Sequence, residues 1–186
     1  MTTTEYAVHI VKELERTMAG LDAGQGERLA DAVLAAGKIF VAGAGRSGFA
    51  VKAFAMRLMH MGFDAYVVGE TVTPNLEPGD LLIIGSGSGA TGSLITIAEK
   101  AKRLGAVLGL VTISSDSPIG VHADIVMKIS APTPKAAVDA RFKSVQPMGS
   151  LFEQSLLLTL DAVILRLMEK RGNDSDTMFT KHANLE

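Results

Sequence analysis

Two glycine loops, each set between an apolar run and a stretch of helical spacing, govern what this chain can become. The first, Gly43-Ala44-Gly45-Arg46-Ser47-Gly48, follows Lys38-Ile39-Phe40-Val41-Ala42 and opens a helical pattern from about Ser47 to Met61. The second, Gly85-Ser86-Gly87-Ser88-Gly89-Ala90-Thr91-Gly92-Ser93, follows Leu81 to Ile84 and opens a pattern from about Thr91 to Leu104. Almost fully apolar strands that end in glycine and hand over to a helix belong to parallel sheets covered on both faces. Ala65 to Val68, Ala106 to Val111 and Asp124 to Ile129 supply the remaining strands. The expected fold is therefore α/β, a doubly wound five-stranded parallel sheet of flavodoxin-like order 2-1-3-4-5 flanked by helices. In that order strands one and three are neighbours, so both glycine loops open into one crevice at the carboxyl edge.

The chain of 186 residues suits a single domain. Residues 1–37 carry two amphipathic helices, one with Ala7, Ile10, Val11, Leu14 and Met18 on a face, the other with Leu29, Ala32, Val33 and Ala36. Ala131 to Gly149 has no period and holds Pro132, Pro134 and Pro147, which reads as a long functional loop. A last helix runs from Ser150 to about Lys170, and Ser150-Leu151-Phe152-Glu153 has the form of a capping box. The polar tail from Gly172 to Glu186 is expected to be either disordered or docked on a neighbouring subunit.

Several functions are excluded by composition. Lys and Arg total 18 against 20 Asp and Glu, a net charge of −2 with no basic block, so nucleic acid is not an expected partner. There is no Cys, which removes disulfides, thiolate metal sites and thiol catalysis and fits a cytoplasmic setting. The first residues lack an apolar leader, and Leu156 to Met168 is interrupted by Asp161 and Arg166, so no membrane span is expected. His9, His60 and His122 show no metal-ligand spacing, and no metal site is expected; His60, near a helix end, reads as a capping residue.

The first loop offers bare backbone N–H groups and a positive helix end to an anion. It also spells G-x-G-x-x-G, with Glu70 about 20 residues on, as a dinucleotide site would. Two helices before the first strand, the lack of a substrate domain and the character of the second loop weigh against that reading. Ser86, Ser88, Thr91 and Ser93 interleave with glycines there, and such hydroxyls donate to phosphate or sugar oxygens. One anionic, sugar-sized ligand touching both loops fits best.

These residues resemble the sugar isomerase (SIS) domain and, more narrowly, the 6-phospho-3-hexuloisomerase family. The resemblance rests on Gly43 to Gly48, Phe54-Ala55-Met56-Arg57-Leu58-Met59-His60, Val68-Gly69-Glu70-Thr71, Thr73-Pro74, Pro147-Met148-Gly149 and Lys181-His182-Ala183-Asn184-Leu185, in order and spacing. It implies reversible isomerisation of 3-hexulose 6-phosphate to fructose 6-phosphate in the ribulose monophosphate pathway of formaldehyde assimilation. It also implies coupling to 3-hexulose-6-phosphate synthase, no cofactor, and a homotetramer whose tail approaches an adjacent subunit.

Moving a carbonyl between C3 and C2 needs a base and donors for the developing oxyanion. On the family's matching motif the base is Glu153. The resemblance assigns His182 to a sugar oxygen, across a subunit boundary, where it opens the ring or shuttles a proton. Ser47, Ser86, Ser88 and Thr91 are expected to bind substrate, with Gly87, Gly89 and Ala90 contributing backbone. Arg46 is expected to pair with phosphate, to steady the enediolate or to remain solvated. Two other functions remain open at this level: a non-catalytic phosphosugar-binding SIS module, and an isomerase for sedoheptulose 7-phosphate or arabinose 5-phosphate.

Overall fold

The computed structural model of the chain describes residues 1–132 and 143–185. Helices α1 (Thr3–Met18) and α2 (Ala23–Ala35) precede β1 (Ile39–Gly43), α3 (Gly45–His60), β2 (Ala65–Val67), β3 (Leu81–Gly85), α4 (Gly92–Arg103), β4 (Val107–Thr112) and β5 (Ile125–Lys128). The long helix α5 (Ser150–Arg171) and the short α6 (Ser175–Phe179) follow. All strand pairs are parallel and the order is β2-β1-β3-β4-β5, as expected.

Side chains alternate across the sheet. Ile39, Val41, Leu81 and Ile83 face α2, α3 and α5, whereas Phe40, Ala42, Leu82 and Ile84 face α4. Both faces are dry, which is why the strands carry continuous apolar runs. Leu58 and Met61 join this core, while Met56 and Met59 stay exposed on the outer side of α3.

The register sets Gly43 directly beside Gly85, so both glycine loops leave the sheet side by side. Contacts at Gly48 and Gly85 leave no room for a Cβ unless their neighbours shift. A Cβ on Gly48 would lie 2.8 Å from the Gly43 carbonyl oxygen, and one on Gly85 would lie 2.7 Å from Val51 Cγ1 and 2.8 Å from Leu156 Cδ2. Helices α3 and α5 thus both close onto the carboxyl end of β3.

Helix α1 packs on α5 with a different face from that expected: Glu13 and Thr17 are buried beside Ile10, Leu14 and Met18, while Ala7 and Val11 are exposed. The tail is ordered in part, since residues 175–179 form α6. Of the long loop, residues 133–142, including Pro134, lie outside the described residues. Among the described residues no helix is long and apolar enough to cross a membrane.

Helix α5 is clamped to α2 by charge. Arg166 Nε meets Glu27 Oε1 at 2.7 Å, and Lys170 Nζ lies 2.9 Å from Glu27 Oε2 and 2.7 Å from Asp31 Oδ1. The hydrogen bonds from Arg166, then Lys170, lower the Glu27 carboxyl from its ordinary 4.5 to about 2. A depressed carboxylate stabilises the fold above its unfolded pKa and loses that contribution as pH falls through its folded pKa. The stability difference between wild type and E27Q, read as urea midpoints, is expected to hold constant above pH 4.5 and to vanish toward pH 2. The pair is two-fifths exposed, so the difference will be small; a pH-independent one would contradict the clamp.

Candidate active site

Three helix N-termini converge on one cleft of about 270 Å³ at the carboxyl edge of the sheet. Ala44 and Ser47 from α3, Thr91 and Leu94 from α4, and Gly149, Phe152 and Glu153 from α5 all line it. Elsewhere the molecule caps its helices with side chains: Thr2 caps α1, Asp22 caps α2 and Asp174 caps α6. At the cleft it does not, for neither Ala44, Thr91 nor Gly149 makes a side-chain cap bond. Uncapped first-turn N–H groups and the positive helix ends face the cleft, which favours an anion there.

The second glycine loop forms the cleft floor through Gly85, Ser86, Gly87 and Ser88. It is tied to β4 because Ile113 N–H (3.1 Å) and the Thr112 hydroxyl (3.2 Å) donate to the Gly87 carbonyl. Ser86 Oγ accepts from Gly89 N–H and Ser88 Oγ from Ala90 N–H, each at 3.2 Å, which folds the loop and leaves both hydroxyl protons available to donate. Gly89 and Ala90 accordingly shape the loop and are not among the residues lining the cleft. Gly89 has φ +58° with Ser117 packed where a Cβ would go, so a side chain is excluded twice over.

At the rim, Arg46 Nε and Glu153 Oε2 are 2.6 Å apart, joining the α3 and α5 N-termini. Glu153 is the more enclosed, with 21% of its side chain exposed against 64% for Arg46. This contact overturns the capping box. Gly149, not Ser150, is the N-cap of α5, the Glu153 backbone N–H donates to the Gly149 carbonyl at 3.0 Å, and the carboxylate is drawn to the guanidinium instead. Oε1 is left on the Gly149 side of the cleft, where a Cβ on that glycine would stand 3.5 Å away.

Of the residues singled out in the sequence, Ser47, Ser86, Gly87, Ser88, Thr91 and Glu153 line this cleft, and Arg46 is bound to Glu153. His182 is elsewhere in its own chain. Its ring stacks on His60 and on Phe179, each at 5.6 Å between centroids, in a second cleft that includes Asp161 and Met168. Asp161 and Met168 are roughly 12 and 22 Å along α5 from Glu153. His60 is not a cap: it is buried, its Nδ1 accepts from Arg57 at 3.2 Å, and the backbone of Met61 closes the helix. Burial, then the charges of Arg57 and His182, lower its pKa. Glu70 pairs with Lys52 at 3.1 Å in a half-exposed bridge. Among the described residues no group of His, Asp and Glu is arranged to hold a metal ion. Sequence reasoning from the loops missed Leu94, Ile113 and Phe152. Leu94 and Phe152 sit in or next to motifs already chosen, but an apolar residue gives no signal that separates cleft wall from core.

Comparison with known proteins agrees with this geometry. The SIS domain family model matches residues 33–158. A 3-hexulose-6-phosphate isomerase of Bacillus subtilis (strain 168) is 55% identical over 186 residues, covering all of both chains. A 3-hexulose-6-phosphate isomerase of Mycobacterium gastri is 41% identical over 94% of this chain and 86% of its own. The crystal structure of a hypothetical protein of Methanococcus jannaschii, from which a 3-hexulose-6-phosphate isomerase function was inferred, superposes with a TM-score of 0.84 at 34% identity. That superposition covers 98% of this chain and 99% of the other.

The uncapped helix ends give a direct test. T91D would give α4 the cap it lacks and place a fixed negative charge where an anion is expected. Its melting temperature should match or exceed wild type, while calorimetric affinity for fructose 6-phosphate falls at least about tenfold, roughly 1.4 kcal/mol. T91N, a cap without charge, should lose less. Unchanged affinity in T91D would place the phosphate away from α4.

Proposed function

The chain belongs to the SIS domain family and, within it, to the 3-hexulose-6-phosphate isomerases, and from that premise we propose that it interconverts 3-hexulose 6-phosphate and fructose 6-phosphate through a 2,3-enediol. The observation that carries this reading is one cleft lined by both uncapped helix ends and Glu153, whose Oε2 is held at 2.6 Å by Arg46.

The phosphate occupies the α3 and α4 helix ends and accepts from Ser47, Ser86, Ser88 and Thr91, with the backbone of Gly87 at the floor and Gly89 and Ala90 holding the loop. Anchoring one end of the sugar brings C2 and C3 toward the rim, so binding energy becomes positioning. Oε1 of Glu153 takes the proton from C2 of 3-hexulose 6-phosphate, and the electron pair moves to form the C2=C3 bond and a negative O3. Arg46, already holding Oε2, offers its remaining N–H donors to that oxyanion. A proton passes from the C2 hydroxyl to O3, the carbonyl forms at C2, and Glu153 returns its proton to C3.

His182 is proposed to serve that oxygen-to-oxygen transfer in the cleft of another copy, in a homotetramer, because within its own chain it stands with His60. The scheme calls for no cofactor. The substrate would be supplied by 3-hexulose-6-phosphate synthase from formaldehyde and ribulose 5-phosphate, in the cytoplasm.

A coupled assay with that synthase, formaldehyde and ribulose 5-phosphate, following fructose 6-phosphate, tests the reading. Wild type should form product. E153Q should lose about 10²–10⁴-fold in kcat while keeping its affinity for fructose 6-phosphate. H182N should be impaired alone, and mixed E153Q/H182N oligomers should recover part of the rate. No product from wild type with active synthase defeats the function, full activity in E153Q defeats the base, and full activity in H182N defeats the shuttle.

A further inference from the structure

A carboxylate on the N-terminal helix is hydrogen-bonded to the segment that leads into the cleft. Glu13 of α1 is only 9% exposed and points at residues 144–146, far from it in sequence. Ser144 Oγ donates to its Oε2 at 2.7 Å, Val145 N–H to its Oε1 at 2.8 Å, and Gln146 Nε2 to its Oε2 at 3.0 Å. Ser144 Oγ also accepts from the Gln146 backbone N–H at 3.0 Å, so the segment is bound to the carboxylate and to itself. Burial works to raise the Glu13 pKa; the hydrogen bonds from Val145, Gln146 and Ser144, with the charge of His9, outweigh it, so the group sits below its ordinary value.

What this segment leads into gives the anchor its meaning. Two residues past Gln146, Met148 has φ +55° and is 82% exposed. A residue with a Cβ pays about 1–2 kcal/mol for the left-handed conformation and keeps it only when its surroundings enforce it. Met148 lacks burial to enforce it, so the constraint must come along the backbone. On one side are the three bonds to Glu13. On the other, Ser150 N–H donates to the Pro147 carbonyl at 3.1 Å and α5 begins. Met148 and Gly149 line the cleft, and Glu153 is one turn further.

Helix α1 is itself fixed beside α5, where the Thr159 hydroxyl meets Met18 Sδ at 3.9 Å. The carboxylate on that helix therefore ties residues 144–146 to an element that itself packs on α5.

We propose that Glu13 is a positioning residue for the isomerisation: by binding Ser144, Val145 and Gln146 it holds the strained turn at Met148 and thereby sets where the Glu153 carboxylate stands over the substrate. The proposal rests on Glu153 being the base. Among the described residues neither Glu13 nor Ser144, Val145 or Gln146 lines the cleft, and the α3, α4 and second-glycine-loop walls carry no hydrogen bond to Glu13. Loss of Glu13 should consequently reach the chemical step and spare binding.

The test is steady-state kinetics on E13A, E13Q, E153Q and E13A/E153Q, with oligomer size and melting temperature recorded for each. In E13A, kcat should fall about 10–100-fold while KM stays within about threefold, the pattern of a displaced catalytic group. E13Q should keep kcat within about threefold, because its amide oxygen can accept from Val145 while its NH₂ donates to a rotated Ser144 hydroxyl and a flipped Gln146. In the E153Q background the same E13A change should alter the residual rate less than about twofold, since the group it positions is already lost. A simple loss of folded protein would scale both backgrounds alike. If E13A does not fold, S144A/Q146A removes two of the three bonds from the loop side and should show the same kcat loss and the same silence in E153Q. Multiplicative effects in the double variant, a KM that rises as kcat falls, or an unchanged kcat in E13A each overturn the role of Glu13 alone. Full activity in E153Q overturns the base assignment and the proposal with it.

Discussion

The absence of a Cβ at a few backbone positions decides where everything else in this molecule can stand. Gly43 and Gly85 are register partners at the carboxyl ends of adjacent strands, and Gly48, in the first turn of α3, lies against the Gly43 carbonyl. Val51 and Leu156 fill the space above Gly85, and Phe152 presses on Gly87, where a Cβ would be 3.1 Å from its ring. Helix α5 can therefore lie down on the end of β3 with its first turn over the second glycine loop. Glu153, on that first turn, comes to face Arg46 from the first. A methyl group at Gly85 would force the Val51 and Leu156 side chains away from the strand end on which both helices pack.

The same geometry explains the electrostatics of the cleft. Three helices begin at its edge without side-chain caps, whereas α1, α2 and α6 carry them. A cap at Ala44, Thr91 or Gly149 would add stability of about 1 kcal/mol. Leaving those ends open keeps their N–H groups for a ligand. A sugar phosphate has an anion at one end and the reacting carbons at the other, and the cleft likewise has open helix ends with Glu153, held by Arg46, at the rim. The alternative of a binding module without chemistry is answered by the full-length match to relatives named as isomerases and by the carboxylate in the cleft.

Much of this was legible in the sequence because glycine loops and apolar runs are local signals. Strand order, the shared crevice and the grouping of Ser47, Ser86, Ser88 and Thr91 followed from them, while Glu153 was pointed to only by the resemblance to the family's motif. What escaped depends on contacts distant in the chain. Ser150 and Glu153 have capping-box spacing, yet an Arg 107 residues away claims the carboxylate. Glu13 carries no signal in the sequence, since periodicity weighs a buried carboxylate as it weighs an exposed one, and only the donors of residues 144–146 reveal it. The stacking of His182 on His60 and the short helix α6 likewise join a polar tail to a distant helix, with no pattern of their own to announce it.

The central claim is that Glu153 moves a proton between C2 and C3 of a phosphosugar held in the glycine-loop cradle. Proton NMR of fructose 6-phosphate incubated with the enzyme in D₂O reads that step without a coupling enzyme. The C3 proton signal should disappear with wild type and persist with E153Q, although both bind the sugar. Exchange at C1 in place of C3, or equal exchange at C3 in both proteins, would contradict it.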